Sequence, residues 1–279
     1  MADRMAGKVA FITGAARGQG RGHALRLAAE GADIIAVDRC ADVDSVAPIY
    51  SMATEDDLAE TVRGVEQLGR RIVARVADVR DFDALQAAFD AGVAELGRAD
   101  IVIANAGIVT FAPTWEFTAE QWREMIDINL TGVFHTAKAA IPTLIEQGDG
   151  GCLLFTSSIG GSKGLQNTGH YVAAKHGVVG LMRTLANELA PHSIRVNTIH
   201  PTNVQTAMIQ HRGFYEVFSE PGAEPTFENA VPGMRALNAL PTPAVEVSDV
   251  SNAVAFLASD EARFVTGATF PVDAGALIK

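Results

Sequence analysis

The chain has 279 residues, 48% of them apolar and 20% charged, and a net charge of −11. That composition excludes a disordered or collagen-like chain, and the acidity sets up a field that repels nucleic acid and anionic lipid. No apolar run reaches the length of a membrane span and the start is too polar for a secretory leader. The two cysteines, Cys40 and Cys152, imply no disulfide framework, so the expectation is a cytoplasmic protein with no nucleic-acid or membrane partner.

Taken in order, short apolar runs alternate with amphipathic stretches. Lys8 to Thr13 reads as a buried strand, Gly20 to Glu30 as a helix stopped by Gly31, and Asp33 to Asp38 as the second strand. Asp57 to Leu68 is helical with Gly69 behind it, Ile72 to Ala77 is a strand, and Asp81 to Leu96 is a helix closed by Gly97. Asp100 to Asn105 is a strand, and Ala119 to Gln147 carries helical periodicity with Pro142 as a candidate kink. Cys152 to Thr156 and Ile194 to Ile199 are strands around a long helix, Tyr171 to Ala190. Val250 to Ala258 is helical and Ala268 to Asp273 is a last short strand. Two stretches break the rhythm: a long connection over about 39–56 and a Gly- and Pro-containing excursion over about 202–247. Such excursions read as a loop over a site and a lid.

Thr13-Gly-Ala-Ala-Arg-Gly-Gln-Gly20 lies between a strand and a helix. Gly14, Gly18 and Gly20 permit a tight turn and close approach of a pyrophosphate, which the helix N-terminus then faces. Asp38, at the end of the second strand, can accept both hydroxyls of an adenosine ribose and repels a 2′-phosphate, which favours NAD over NADP. Arg17 and Arg39 could each meet a 2′-phosphate, so the NADP alternative stays open.

Tyr171 and Lys175 stand four residues apart, on one helix face. A nearby ammonium favours the phenolate, so the spacing predicts a tyrosine acting as acid/base near neutral pH. Ser158 lies just past the fifth strand, where open α/β sheets put ligands, with Ser157 as its competitor. Asn129 falls inside a helix, where it is mildly unfavourable. The seven histidines show no metal-ligand spacing, so no metal is expected. Asp81/Asp83 and Glu55–Asp57 read as helix starts, not paired catalytic acids. Phe214, Tyr215, Phe218, Phe227 and Met234 either wall an apolar substrate pocket or pack the lid onto the body.

The set Thr13-Gly14-x3-Gly18-x-Gly20, Asp78-Val79, Asn105-Ala106-Gly107, Asn129, Ser158, Tyr171-x3-Lys175 and Pro201-x4-Thr206 resembles the short-chain dehydrogenase/reductase family over nearly the whole chain. The resemblance implies a single Rossmann-type α/β domain spanning 1–279, doubly wound, with a mostly parallel seven-stranded sheet and helices on both faces. It implies Tyr171 as general acid/base, Ser158 polarising the substrate oxygen, and Lys175 binding the nicotinamide ribose and lowering the pKa of Tyr171. Asn129 would hold a water in a proton relay. Gly14, Arg17, Gly18, Gln19 and Gly20 would cradle the pyrophosphate, Asp38 and Arg39 would meet the adenosine ribose, and Asp78 and Val79 would flank the adenine. Asn105, Ala106 and Gly107 would belong to the cofactor-binding set, Asn105 also steadying the central strand, and Pro201, Val204 and Thr206 would reach the nicotinamide.

Gly18-Gln-Gly-Arg-Gly-His-Ala24, Val37-Asp-Arg-Cys40, the 39–56 loop and His200-Pro-Thr-Asn-Val-Gln-Thr206 are similar to the mycofactocin-coupled, carveol-dehydrogenase-like branch, with departures at Gly22 and Arg39. The branch implies tightly held NAD, mycofactocin as electron acceptor and a homotetramer with interfaces over about 108–147 and 171–190. The expected reaction is oxidation of an apolar, cyclic or terpene-like secondary alcohol to a ketone, or its reverse. The alternatives are an NADPH-dependent carbonyl reductase, a lyase or epimerase on the same fold, and a non-enzymatic NAD-sensing protein. The dehydrogenase-type glycine spacing speaks against the lyase or epimerase, and the complete Asn129/Ser158/Tyr171/Lys175 set against the sensor.

Overall fold

The computed structural model describes residues 3–279. Strands β1 (Val9–Thr13), β2 (Asp33–Asp38), β3 (Ile72–Val76), β4 (Ile101–Ala104), β5 (Gly151–Thr156), β6 (Ile194–Pro201) and β7 (Thr269–Val272) form one sheet in the order β3-β2-β1-β4-β5-β6-β7. Every neighbouring pair is parallel, so the sheet is parallel throughout, where the sequence led us to expect mostly parallel. The order reverses between β1 and β4, which opens a crevice at their C-terminal ends.

Side-chain alternation builds two cores from the same strands. Phe11, Ile35, Val102, Leu153 and Phe155 point to one face, under helices α3 (Phe82–Leu96), α5 (Gly132–Gln147) and α6 (Gly169–Leu189). Ile12, Ile34, Ile103, Cys152 and Leu154 point to the other, under α1 (Gly18–Ala28), α2 (Glu55–Gln67) and α9 (Val247–Ala258). Strands sandwiched this way read as nearly continuous apolar runs, which is why they are visible in the sequence.

The acidic clusters start helices as expected. Thr54 and Asp57 form a reciprocal capping box on α2, and the Asp81 carboxylate accepts from Ala84 N to begin α3. Gly97 and Gly148 close α3 and α5 in the left-handed conformation. Pro142 sits inside α5 without ending it. The irregularity in this region lies earlier: α4 (Ala119–Ile126) passes into a π-helical turn, Asp127–Thr131, before α5. The excursion over 202–247 contains α7 (Arg212–Phe218) and α8 (Phe227–Leu237), which share a small core of Ile209, Phe214, Ala230, Met234 and Ala244. The 39–56 connection tucks Val43, Val46 and Tyr50 against the main core.

Gly22 explains one departure from the branch pattern: a Cβ there would lie 2.2 Å from Val247 Cγ1 and 3.0 Å from Ser251 Oγ. Ser251 instead bonds the neighbouring His23, whose Nδ1 lies 2.9 Å from its Oγ. His23 is wholly buried, and burial pushes its pKa down to about 3. The folded state therefore holds this ring neutral while the unfolded chain protonates it below about 6.5, so its contribution is present above that pH and lost as pH falls. Glu30 and Asp33 add a second loss at lower pH. Burial works against both charges, yet Arg4 and Arg26 hold Glu30, and Arg70 and Arg71 hold Asp33, below the usual carboxylate range. Thermal unfolding followed by circular dichroism should show Tm falling already between pH 6.5 and 5, and more steeply below about 4.5. His23→Asn should weaken the first phase, to which the buried His170, His200 and His211 also contribute; a Tm independent of pH from 7 to 5 would contradict this account.

Candidate active site

The first wall is the turn after β1. Gly14 has φ +67°, and a Cβ there would stand 2.8 Å from Ala106 Cα; a Cβ on Gly20 would stand 1.9 Å from Gly14 O. Only glycine lets the turn close and α1 begin this tightly. No side chain caps the N-terminus of α1 and no acid lies in its first turn, so its amides are free for an anion. Gln19 Oε1 is buried without a partner in the same place. An uncapped helix start and a glycine cradle together fit a dinucleotide pyrophosphate; the Gln19 oxygen is itself an acceptor and adds nothing to that fit.

The cleft of about 150 Å³ beside this turn is lined by Gly14, Arg17, Gly18, Gln19, Asp38 and Arg39, and by Asp78, Val79, Asn105, Ala106 and Gly107. The Asp38 carboxylate is fixed by Ala16 N (3.0 Å) and Cys40 N (3.1 Å). Both arginines expected near it are engaged elsewhere. Arg17 donates to Ser51 O in the 39–56 loop, and Arg39 Nε lies 3.1 Å from Asp78 Oδ2. Asp78 also takes Arg80 (2.7 Å), which reaches on to Glu124 (3.0 Å). Burial would raise the Asp78 pKa, but the hydrogen bonds of Arg80 and the charges of Arg80 and Arg39 hold it low. One Arg39 nitrogen, Nη1, stays buried and unpartnered.

Asn105 ties the strand ends together. Its amide N–H groups reach Thr13 Oγ1, Thr13 O and Gly14 O at 3.2 Å, and its Oδ1 accepts from Thr156 Oγ1 at 3.3 Å. The Asn129 side chain, wholly buried in the π-turn, clasps Ile108 by both its amide and its carbonyl (2.9 and 2.8 Å). It faces Lys175 across Gly107: a Cβ on Gly107 would meet Asn129 Oδ1 at 2.8 Å and Lys175 Nζ at 3.7 Å.

Ser158, Tyr171 and Lys175 converge where this wall meets a second cavity. Ser158 caps a short 3₁₀ turn, its Oγ accepting from Gly160 N (3.0 Å), and its side chain draws the Tyr171 phenol's pKa down. Ser157 donates to Lys175 O (3.1 Å), and both serines line the second cavity. Lys175 Nζ donates to Thr156 O (2.7 Å) and lies 5.6 Å from the centre of the Tyr171 ring. Burial pushes the Lys175 pKa down to about 8. The expected lowering of the Tyr171 pKa is not what this site has. Burial raises the phenol, and the Ser158 side chain, not Lys175, is what opposes it.

The second cavity, about 480 Å³, shares Gln19, Asn105, Gly107, Ile108, Thr206 and Met208 with the cleft. Pro201, Val204 and Thr206 line it from the end of β6, and Thr206 Cγ2 abuts Gly18. Phe214 and Phe218 wall it, Met234 packs the lid's own core, and Tyr215 lies edge-on to Phe227, so both readings of the lid aromatics hold. The sequence reading passed over Tyr50, which lines the cleft, accepts from Val109 N (3.3 Å) and stacks on His211 at the start of α7. Its signal was a large aromatic in a loop too long to be a mere connection.

A family model described as enoyl-(acyl carrier protein) reductase matches residues 14–276. The chain is 53% identical to the (-)-trans-carveol dehydrogenase of Rhodococcus erythropolis, with 99% of each chain covered. It is 37% identical to the trans-4-hydroxycyclohexanecarboxylate dehydrogenase of Sinomonas cyclohexanicum over 99% of this chain and 95% of that one. Among solved structures it is similar to a carveol dehydrogenase from Mycobacterium avium in complex with NAD, at 53% identity and a TM-score of 0.97 with 99% of each chain covered. A match that runs from the glycine turn almost to the C-terminus, with full-length relatives at this level of identity, means that the chain belongs to the short-chain dehydrogenase/reductase family.

Proposed function

We propose that this protein oxidises an apolar, cyclic or terpene-like secondary alcohol to its ketone, with NAD as hydride acceptor. The observation that carries the reading is the convergence of Ser158, Tyr171 and Lys175 at the junction of the dinucleotide-fitting cleft with a largely apolar cavity. The relatives named for carveol and for a hydroxycyclohexane acid support a cyclic alcohol.

The backbone of Gly14 to Gly20 would hold the pyrophosphate, Asp38 the adenosine ribose, Lys175 the second ribose, and Thr206 and Val204 the nicotinamide end. Bound there, NAD supplies the hydride acceptor, and the protein positions the alcohol against it. The Tyr171 oxygen takes the hydroxyl proton as the C–H hydrogen leaves as hydride, and the Ser158 hydroxyl bonds the same substrate oxygen. Lys175 then passes the proton outward to a water that Asn129 would hold. Asp38 speaks against NADPH because a fixed carboxylate repels a 2′-phosphate, while Arg39 is drawn to Asp78. The loop over the cleft, pinned by Arg17 to Ser51 and by Tyr50 to His211, supports NAD that stays bound and an electron carrier such as mycofactocin as final acceptor. Exposed Trp122, Phe134 and Ile145 on α4 and α5 support a homotetramer joined through this face. Among the described residues no helix is long and apolar enough to cross a membrane; we take the protein to be cytoplasmic.

Tyr171→Phe should lower kcat for alcohol oxidation by about 10²–10⁴-fold. It should leave NAD affinity, measured by fluorescence titration, within about threefold. Unchanged turnover would sink the mechanism. Because burial raises the Tyr171 phenol, the phenolate fraction grows with pH, and oxidation by the wild type should accelerate from pH 7 towards 10. Asp38→Ala should shift the NAD-to-NADP binding ratio towards NADP by roughly tenfold or more, the 1.4 kcal/mol scale of one lost repulsion; an unchanged ratio would remove the carboxylate from cofactor choice.

A further inference from the structure

Two histidines that the proposed reaction does not use stand directly behind its two hydroxyl-bearing residues. His170 and His200 are both wholly buried. His170 Nδ1 accepts the backbone N–H of Tyr171 (2.8 Å), and its Nε2 lies 2.9 Å from Thr110 Oγ1. His200 Nδ1 lies 2.7 Å from the carbonyl oxygen of Ser158 and 3.1 Å from Ser162 Oγ, and its Nε2 lies 2.8 Å from Thr198 Oγ1. The partners fix the protons. A backbone N–H can only donate, so His170 Nδ1 is bare and the ring's proton sits on Nε2, donated to Thr110. A carbonyl can only accept, so His200 Nδ1 carries the proton and its Nε2 accepts from Thr198.

We infer that His170 and His200 are a pair of neutral positioning residues, locked in opposite tautomers, that hold Tyr171 and Ser158 in place from the side away from the substrate. Resting on the reaction proposed above, the inference assigns them no contact with the alcohol. His170 supplies an acceptor at the first turn of α6, where the Thr168 side chain makes no cap. Through Thr110 it also ties that turn to the chain leaving β4, and Phe117 stacks on its other face, 3.7 Å between ring centres. His200 fixes the carbonyl of the residue whose hydroxyl meets Tyr171, and anchors it to β6 through Thr198. The two rings therefore fix the relative position of the groups that must reach one substrate oxygen, and a misplacement of about 1 Å there costs roughly 10²-fold in rate.

A charge on either ring is unfavourable. Burial pushes His170 down to about 4, with the Thr168 carbonyl alone opposing. Around it stand Thr110, Phe117, Tyr171 and the Thr168 carbonyl, with no carboxylate in hydrogen-bond contact; a second proton would set Nδ1–H against the Tyr171 N–H at the positive end of α6, with only that carbonyl to accept it. Burial also lowers His200; the Ser158 carbonyl opposes, while Lys175, His176 and Arg183, all on α6, add to the lowering.

The test reads the tautomers and their consequence separately. Nitrogen-15 NMR of the full-length protein, with the signals assigned through His170→Asn and His200→Asn, should show His170 as the Nε2–H form and His200 as the Nδ1–H form at pH 8, with His170 still neutral at pH 6. Either ring in the opposite tautomer, or His170 protonated at pH 6, would overturn the inference. In kinetics with carveol, His170→Phe and His200→Phe keep a ring but lose the polar contacts, and each should lower kcat by roughly 10²-fold with NAD affinity preserved. The Asn variants, which can restore the Nδ1 contact, should recover most of that loss. Wild-type kcat in the Phe variants, or Asn variants as slow as Phe at an unchanged Tm, would also overturn it. Failure of the wild type to oxidise carveol would count against that substrate, while the tautomers would still decide the positioning role.

Discussion

One side-chain amide holds the working end of this molecule together. Asn105, at the end of the central strand β4, bonds Thr13 and Gly14 on one side and Thr156 on the other. Parallel strands leave their C-terminal ends without a natural partner where the order reverses, and buried main-chain groups left unpaired there would each cost about 1–3 kcal/mol. By satisfying several at once, Asn105 fixes the glycine turn on β1 against the loop leaving β5. Thr156 then presents its carbonyl to Lys175, and Ser158 follows two residues later. The cleft and the cavity thus share a wall because three strand ends share an asparagine.

The electrostatics follow the same plan. The chain is strongly acidic, yet the buried carboxylates that would oppose an anionic cofactor are neutralised at a distance from the glycine turn. Glu30 is held by Arg4 and Arg26, Asp33 by Arg70 and Arg71, and Asp100 by Arg98. The site keeps Asp38, held by two backbone amides, Asp78, paired with Arg39 and Arg80, and one buried cation, Lys175, bound to a carbonyl. A lysine near pKa 8 lies beside a phenol raised by burial, and the charge state of both is sensitive to whatever binds next to them. That sensitivity comes from desolvation and could not be read from the four-residue spacing of Tyr171 and Lys175, which predicts the ammonium's effect alone.

Much of the fold was legible because it obeys local rules. Apolar runs such as Asp33–Asp38 are buried on both faces, and glycines such as Gly97 stop helices where left-handed backbone is needed. The site motifs were legible for the same reason: Gly14 and Gly20 allow no side chain, so their spacing carries geometry directly. What escaped depends on tertiary contact. Helices α7 and α8 are short, α8 contains Pro232, and both depend on burying Phe214 and Met234 together. The π-turn that inserts Asn129 has the composition of an ordinary helix. Tyr50 belongs to no motif and reaches the site only through folding, while the roles of His170, beside Tyr171, and of His200, at the head of its motif, depend on contacts that the spacing does not carry.

The most direct test of the account follows the hydrogen itself. The purified protein with NAD is incubated with carveol carrying deuterium on the carbinol carbon, then denatured, and the released nucleotide is analysed by mass spectrometry. The account predicts NADH one mass unit heavier, formed in step with ketone and absent in Tyr171→Phe. Ketone without deuterium in the nucleotide, or label lost to water, would contradict direct hydride transfer at the meeting point of cleft and cavity.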